Sequence, residues 1–170
     1  LGSILIPVRG GMNLQLEVSE NTKQVMSATI IIEQSSLQLQ AFAAPKSAGL
    51  WEQISEQLIA SLHKQNADVA KKEGRWGTEL LARVPAKMPD GSPGWRVARF
   101  IGIDGPRWFV RAVIAGQAAM SGAQAEVLED YLSNVVVNRC DDPMPPRDLL
   151  PLKAPAGQQL PGTAPEQPNA

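Results

Sequence analysis

The segment WRVARFIGIDGPRWFVRAVIAG, residues 95–116, narrows the choice of fold more than any other part of the chain. Its apolar and basic residues alternate with period two on either side of Asp104-Gly105-Pro106, and β-branched and aromatic side chains occupy many of the positions. Alternation of that kind across a Gly-Pro break predicts two antiparallel strands joined by a tight turn, at the heart of a sheet. A three-residue loop from Asp104 to Pro106 would set Arg99 directly opposite Arg111, six residues either side of Gly105. Like charges in register repel unless solvent, an anion or a carboxylate neutralises them.

Residues 1–44 read as strands alone. Ile4, Ile6 and Val8 alternate before Gly10-Gly11, and Met12, Leu14, Leu16 and Val18 share a face opposite Asn13, Gln15 and Glu17. Residues 24–32 have a continuous apolar centre, which predicts burial on both faces; Leu37, Leu39, Ala41 and Ala43 then alternate with polar residues. After Pro45-Lys46-Ser47 the period becomes 3.6. Trp51, Ile54, Ser55, Leu58, Ile59 and Leu62 form one stripe of an amphipathic helix, with Ser47 as its expected N-cap and Glu52 complementing the dipole in the first turn. Two further strands are expected at 69–73 and 78–87, turning through 74–77, and residues 89–94 form a dense turn signal ahead of the central hairpin. Ser121 is placed to cap a second helix lined by Ala125, Leu128, Tyr131 and Leu132, and residues 135–137 close as a short strand. The expected fold is α+β: a curved antiparallel β-sheet flanked by two α-helices, in one domain over residues 1–140.

From Asp141 the composition shifts, because eight of the last 30 residues are proline and none is aromatic. Such a segment cannot build a core of its own. Met144, Leu149, Leu150 and Leu152 are nonetheless too apolar for a solvated linker. Residues 141–152 are therefore expected to lie extended against the domain, with 153–170 as a flexible Pro-rich tail.

Composition excludes several function classes. With 16 basic and 17 acidic residues and a net charge of -1, the chain has no overall field for nucleic acid or an anionic membrane, so neither partner is expected. No apolar run approaches the roughly 18 to 20 residues of a membrane span. A single cysteine, Cys140, rules out an internal disulfide, a Cys-rich zinc site and a Cys-X-X-Cys redox pair, and suits a reducing compartment. There is no Gly-X-Ser-X-Gly elbow, P-loop or dinucleotide fingerprint. The one histidine, His63, borders the stripe of the first helix, and Cys140 adjoins Asp141 and Asp142, which favour its neutral thiol. Glu126, Glu129 and Asp130 have the spacing of an ordinary polar helix face, and Asp90 and Asp104 are turn residues. No metal and no cofactor is expected.

Arginines and tryptophans stand above this background. Arg83, Arg99, Arg107 and Arg111, with Trp95 and Trp108 as flat apolar walls, suit a phosphate, a carboxylate or the acidic loop of a protein. The competing arrangement pairs these arginines with the protein's own acids, such as Glu73 or Glu79. Trp51 is expected in the core, and Trp76, inside a turn, as an exposed contact residue.

Three stretches, LQLQAFAAPKSAGLWEQI (37–54), VARFIGIDGPRWFVRAVIAG (97–116) and PMPPRDLLPL (143–152), resemble the actinobacterial domain of unknown function 3710 family. That resemblance implies no activity; it implies a polar, acidic segment ahead of Leu1 and hence a cytoplasmic protein. The order of elements more loosely resembles the Mog1/PsbP-like fold. The function expected is a non-enzymatic protein-binding or assembly module with an Arg/Trp sheet face and a Pro-rich tail. Its alternatives are a binder of a small anion such as a nucleotide or phosphate, and an enzyme with an unrecognised cleft.

Overall fold

Alternating apolar residues build most of the molecule as one large sheet. The computed structural model describes residues 4–7, 10–21, 24–45, 49–120, 122–138, 143–145, 148–150 and 152, with the backbone alone of Gln117 and Gln124. Strands β1 (Ile4–Leu5), β2 (Met12–Val18), β3 (Val25–Ile32) and β4 (Ser35–Ala43) precede helix α1 (Trp51–Lys64). Strands β5 (Asp68–Gly74), β6 (Gly77–Lys87), β7 (Pro93–Gly105) and β8 (Trp108–Gly116) follow it, then a 3-10 turn (Gln117–Ala119), α2 (Gly122–Ser133) and β9 (Val136–Val137). Seven strands pair antiparallel in the order β2-β3-β4-β8-β7-β6-β5, while β1 and β9 form a separate two-stranded ribbon. The class is α+β, and β7 and β8 sit at the centre of the sheet.

Register sorts the side chains onto two faces. One carries Leu16, Ile30, Leu37, Leu39, Ile101, Ala112 and Ile114, in one cluster with Leu128, Tyr131 and Leu132 of α2 and with Ile4. The other carries Leu80 and Phe109 with Phe42 and Phe100, under Trp51, Ile54, Leu58 and Ile59 of α1; Leu62 packs on Ala82 at the far end of that helix. Because α1 packs on β5, β6 and β7, it leaves Thr29 and Ile31 of β3 half-buried rather than enclosed on both faces as expected.

The central hairpin is the seat of α1. Ser47 lies outside the described residues, and the leading N–H groups of the helix are met from the sheet: Leu50 N–H donates to Asp104 Oδ1 at 2.7 Å and Trp51 N–H to Asp104 Oδ2 at 3.4 Å. A carboxylate at a helix N-terminus satisfies orphan donors and complements the dipole. Gly102 leaves room for the Trp51 ring, since a Cβ there would stand 2.0 Å from it. The indole N–H of Trp51 donates to Thr78 O at 2.6 Å, and its ring stacks on Phe109 with centroids 6.1 Å apart.

A notch in the sheet is filled from the C-terminal side. The register of β2 against β3 shifts at Glu17/Val18, and β3 leaves β4 after the Ala28–Leu39 pair while β4 continues along β8 to Ala43. Bulges bend strands in this way. Ala43 N–H then donates to Asp148 O at 2.8 Å and Leu150 N–H to Ala41 O at 2.9 Å. Bridges join Phe42 to Leu149 and Val25 to Leu152, and the side chains of Leu150 and Leu152 lie in the main core.

Candidate functional site

Turn length decides where the arginines point. Gly105 pairs with Trp108, so the loop is the two residues Pro106 and Arg107, with Arg107 at φ 63°. Arg111 consequently stands opposite Gly102, and Arg99 opposite Ile114. An odd register shift moves a side chain to the other face. Arg99 and Arg111 therefore lie on opposite faces, which corrects the expectation that they confront each other.

Arg99 belongs to an internal ion cluster. Its Nε donates to Glu79 Oε1 at 3.0 Å, and its Nη2 reaches both Glu79 oxygens at 2.8 and 3.0 Å and Glu129 Oε1 at 2.6 Å. Arg99 is 6% exposed and Glu79 2%. Burial works to lower the Arg99 pKa, but the Glu129 and Glu79 carboxylates outweigh it and the net shift is upward. Glu129 is carried by α2, so the cluster ties that helix to β6 and β7. Of the two internal acids considered, Glu79 takes the arginine, while Glu73 accepts from the Thr78 hydroxyl at 2.6 Å.

Beside this cluster, on the α2 face, lies a groove. A hollow of about 390 Å³ has Leu81, Val97, Ala118 and Ala119 among its apolar lining and Lys72, Arg83 and Arg99 among its polar lining. It adjoins a second hollow of about 470 Å³ that includes Trp95, Arg96 and Gly116 and shares Val97 and Met120 with the first. No carboxylate lines either hollow among the described residues. Trp95 is 46% exposed and Met120 72%, two of the four large apolar side chains exposed among the described residues. The Arg83 guanidinium lies 5.4 Å from the centroid of the Trp95 ring, a cation–π distance. Neither Lys72, Arg83 nor Arg96 makes an ion pair among the described residues; Asp68 stands opposite Arg83 on β5 without reaching it.

The remaining expected site residues lie elsewhere. Trp108 packs over Gly105 and against the main core, and the Arg107 carbonyl accepts the Ala44 N–H at 3.0 Å in the hairpin turn. Trp76 corrects the expectation of an exposed contact: it is partly buried against the main core, with the Arg75 guanidinium 5.4 Å from its ring. Arg111 is half-buried on the α1 face, where its Nη2 donates to Gln40 Oε1. Thus Arg83, Trp95 and Arg99 meet at the groove, and Arg107, Arg111, Trp76 and Trp108 do not.

Sequence reasoning missed Lys72, Val97 and Met120 of the groove and Glu129 of the ion cluster. Lys72 could have been found from register, since it pairs with Glu79. Met120 lies between β8 and α2, where no periodicity assigns a face.

The described residues contain no group of three or more His, Cys, Asp or Glu side chains that could hold a metal ion. His63 is exposed in the last turn of α1, and Cys140, Asp141 and Asp142 lie outside the described residues. Among the described residues no helix is long and apolar enough to cross a membrane. No curated protein and no solved structure matches the chain. A match over residues 1–160, nearly the whole chain, shows instead that it belongs to a family described as protein of unknown function, DUF3710.

Proposed function

We propose that the protein is a non-enzymatic binding module of the cytoplasm, whose groove on the α2 face takes an acidic, partly apolar segment of a protein partner. The observation that carries this reading is the placement of Trp95 and Met120, both exposed, beside Lys72 and Arg83, which have no acid of their own among the described residues. Exposed apolar surface flanked by unpaired cations favours a partner that brings carboxylates and buries an aromatic anchor. Residues 153–170 lie outside the described residues; their composition adds them as a second contact, since Pro-rich chain loses little entropy on docking. The order of strands and helices, which suggests a Mog1/PsbP-like fold, agrees with a binding role without specifying it.

The test places a photo-crosslinker at Met120 and identifies what it captures from native lysate, with Arg83→Glu and Trp95→Ser each introduced into the crosslinker-bearing protein. A single protein, captured through an acidic stretch and lost in both variants, is the expected result. Capture that is unchanged by both substitutions removes the reading.

A further inference from the structure

Arg111 lies on β8, the middle strand, on the face away from the groove. Its Nη2 donates to Gln40 Oε1, its cross-strand neighbour, and Gln40 is its one hydrogen-bond partner among the described residues. Its Nε is closed off from solvent and has no acceptor there. None of the ion pairs of the described residues includes it. Burial lowers its pKa, yet a guanidinium stays protonated in proteins, so the charge persists in surroundings that disfavour it.

Asp104, which shares this face two residues from Gly102, turns its carboxylate to the first N–H groups of α1, and the polar groups on the β4 side of Arg111 are neutral. Gln38, two residues from Gln40 on the same face of β4, donates Nε2 to Ser27 Oγ at 3.3 Å. Ser27 is fully buried and donates in turn to Glu17 Oε2 at 3.0 Å. Glu17 is the acid of this row, but it sits on β2, at the sheet edge beyond β3 and β4. The other neighbour of Arg111, Gly102, has no side chain to offer, and the space above it holds the Trp51 ring. In Arg99 the Nε/Nη2 fork closes on both oxygens of Glu79; in Arg111 Nη2 alone donates, to a single amide oxygen, and Nε stays without an acceptor among the described residues.

We infer that Arg111, together with the amides of Gln40 and Gln38, forms a binding site for a small oxyanion, a carboxylate or phosphate group, on the α1 face. The guanidinium N–H groups not taken by Gln40 suit such a group through charge-assisted hydrogen bonds, and carboxamide N–H groups add neutral donors. This site is independent of the groove and of any protein partner.

Inorganic phosphate and succinate, each titrated at constant ionic strength against sodium chloride and followed by thermal unfolding and calorimetry, test it. At least one is expected to raise the Tm saturably. Phosphate alone doing so identifies a phosphoryl ligand, and succinate alone a carboxylate. Arg111→Gln is expected to abolish the shift and Arg83→Gln to keep it. No shift with either anion at about 20 mM, or a shift that survives Arg111→Gln, overturns the inference. Gln40→Glu keeps the test decisive if Arg111→Gln does not fold. Its carboxylate lies against Nη2, so it is expected to raise the Tm of the ligand-free protein and to weaken anion binding at least about tenfold. A Gln40→Glu protein with unaltered Tm and unaltered anion affinity counts against the site equally.

Discussion

Arg99 and Arg111 stand on neighbouring central strands of one sheet, yet they face opposite ways and are treated in opposite fashion. On the α2 face two carboxylates close around Arg99, and the cation becomes a strut between α2 and the sheet. On the α1 face Arg111 meets one amide oxygen and no acid among the described residues. The difference teaches that a buried guanidinium is structural or available according to what register brings beside it. Equal residue types in one hairpin carry no common role.

The contrast is sharpest in stability. Arg99→Met strands Glu79, which is 2% exposed, and should cost about 3–5 kcal/mol in urea unfolding, with Arg99→Met/Glu79→Leu recovering most of the loss. A loss below about 1 kcal/mol would break the comparison, because the cluster would then be no strut. Gly102→Ala, opposite Arg111, pushes a Cβ into the Trp51 ring and should cost about 1–3 kcal/mol by the same measurement, which marks the seat of Trp51 on Gly102 as tightly packed. Arg111→Met should change stability by less than about 1 kcal/mol in either direction, since it removes a desolvated charge that has no acid partner.

Alkaline titration yields the smallest effect and separates two ties of α2. Tyr131 donates its hydroxyl to Pro7 O at 2.8 Å, and burial raises its pKa above the usual 10.0. Its contribution is complete below that usual value and is lost as pH rises through the higher folded value, whereas the Arg99 guanidinium keeps its charge there. A pH series of Tm between about 9 and 11 should fall less steeply for Tyr131→Phe than for the wild type. Equal slopes would show that the phenol contributes nothing.

Much of the fold was legible because periodicity reports which face of an element is buried. The stripe from Trp51 to Leu62 and the alternation from Leu37 to Ala43 carry that information locally, and both elements form. Turn length was not legible at Pro106-Arg107. Arginine is uncommon at positive φ, so nothing in its identity announced the second turn residue, and misjudging the loop reversed the face of Arg111. Asp104 looked like a turn aspartate, yet it meets a helix whose first residues lie more than 50 positions away in sequence. Such roles come from tertiary proximity alone. Of the candidate site, Arg83 and Trp95 were legible as residue types but their stacking came from register alone, and the engagement of Arg99 was visible only as one of two alternatives. Trp76 was misjudged because a tight turn between two glycines still folds its ring back onto the core.

The notch between β3 and β4 has a consequence for the order in which this molecule is assembled. Ala41 and Ala43 are made early, but the backbone groups that complete them belong to Leu150 and Asp148. A growing chain therefore carries an open strand edge and an unfilled apolar hole through the synthesis of every helix and strand among the described residues. Neither closes until Leu152 has left the ribosome, and a nascent chain halted before that point would present the exposed edge on which misassembly begins.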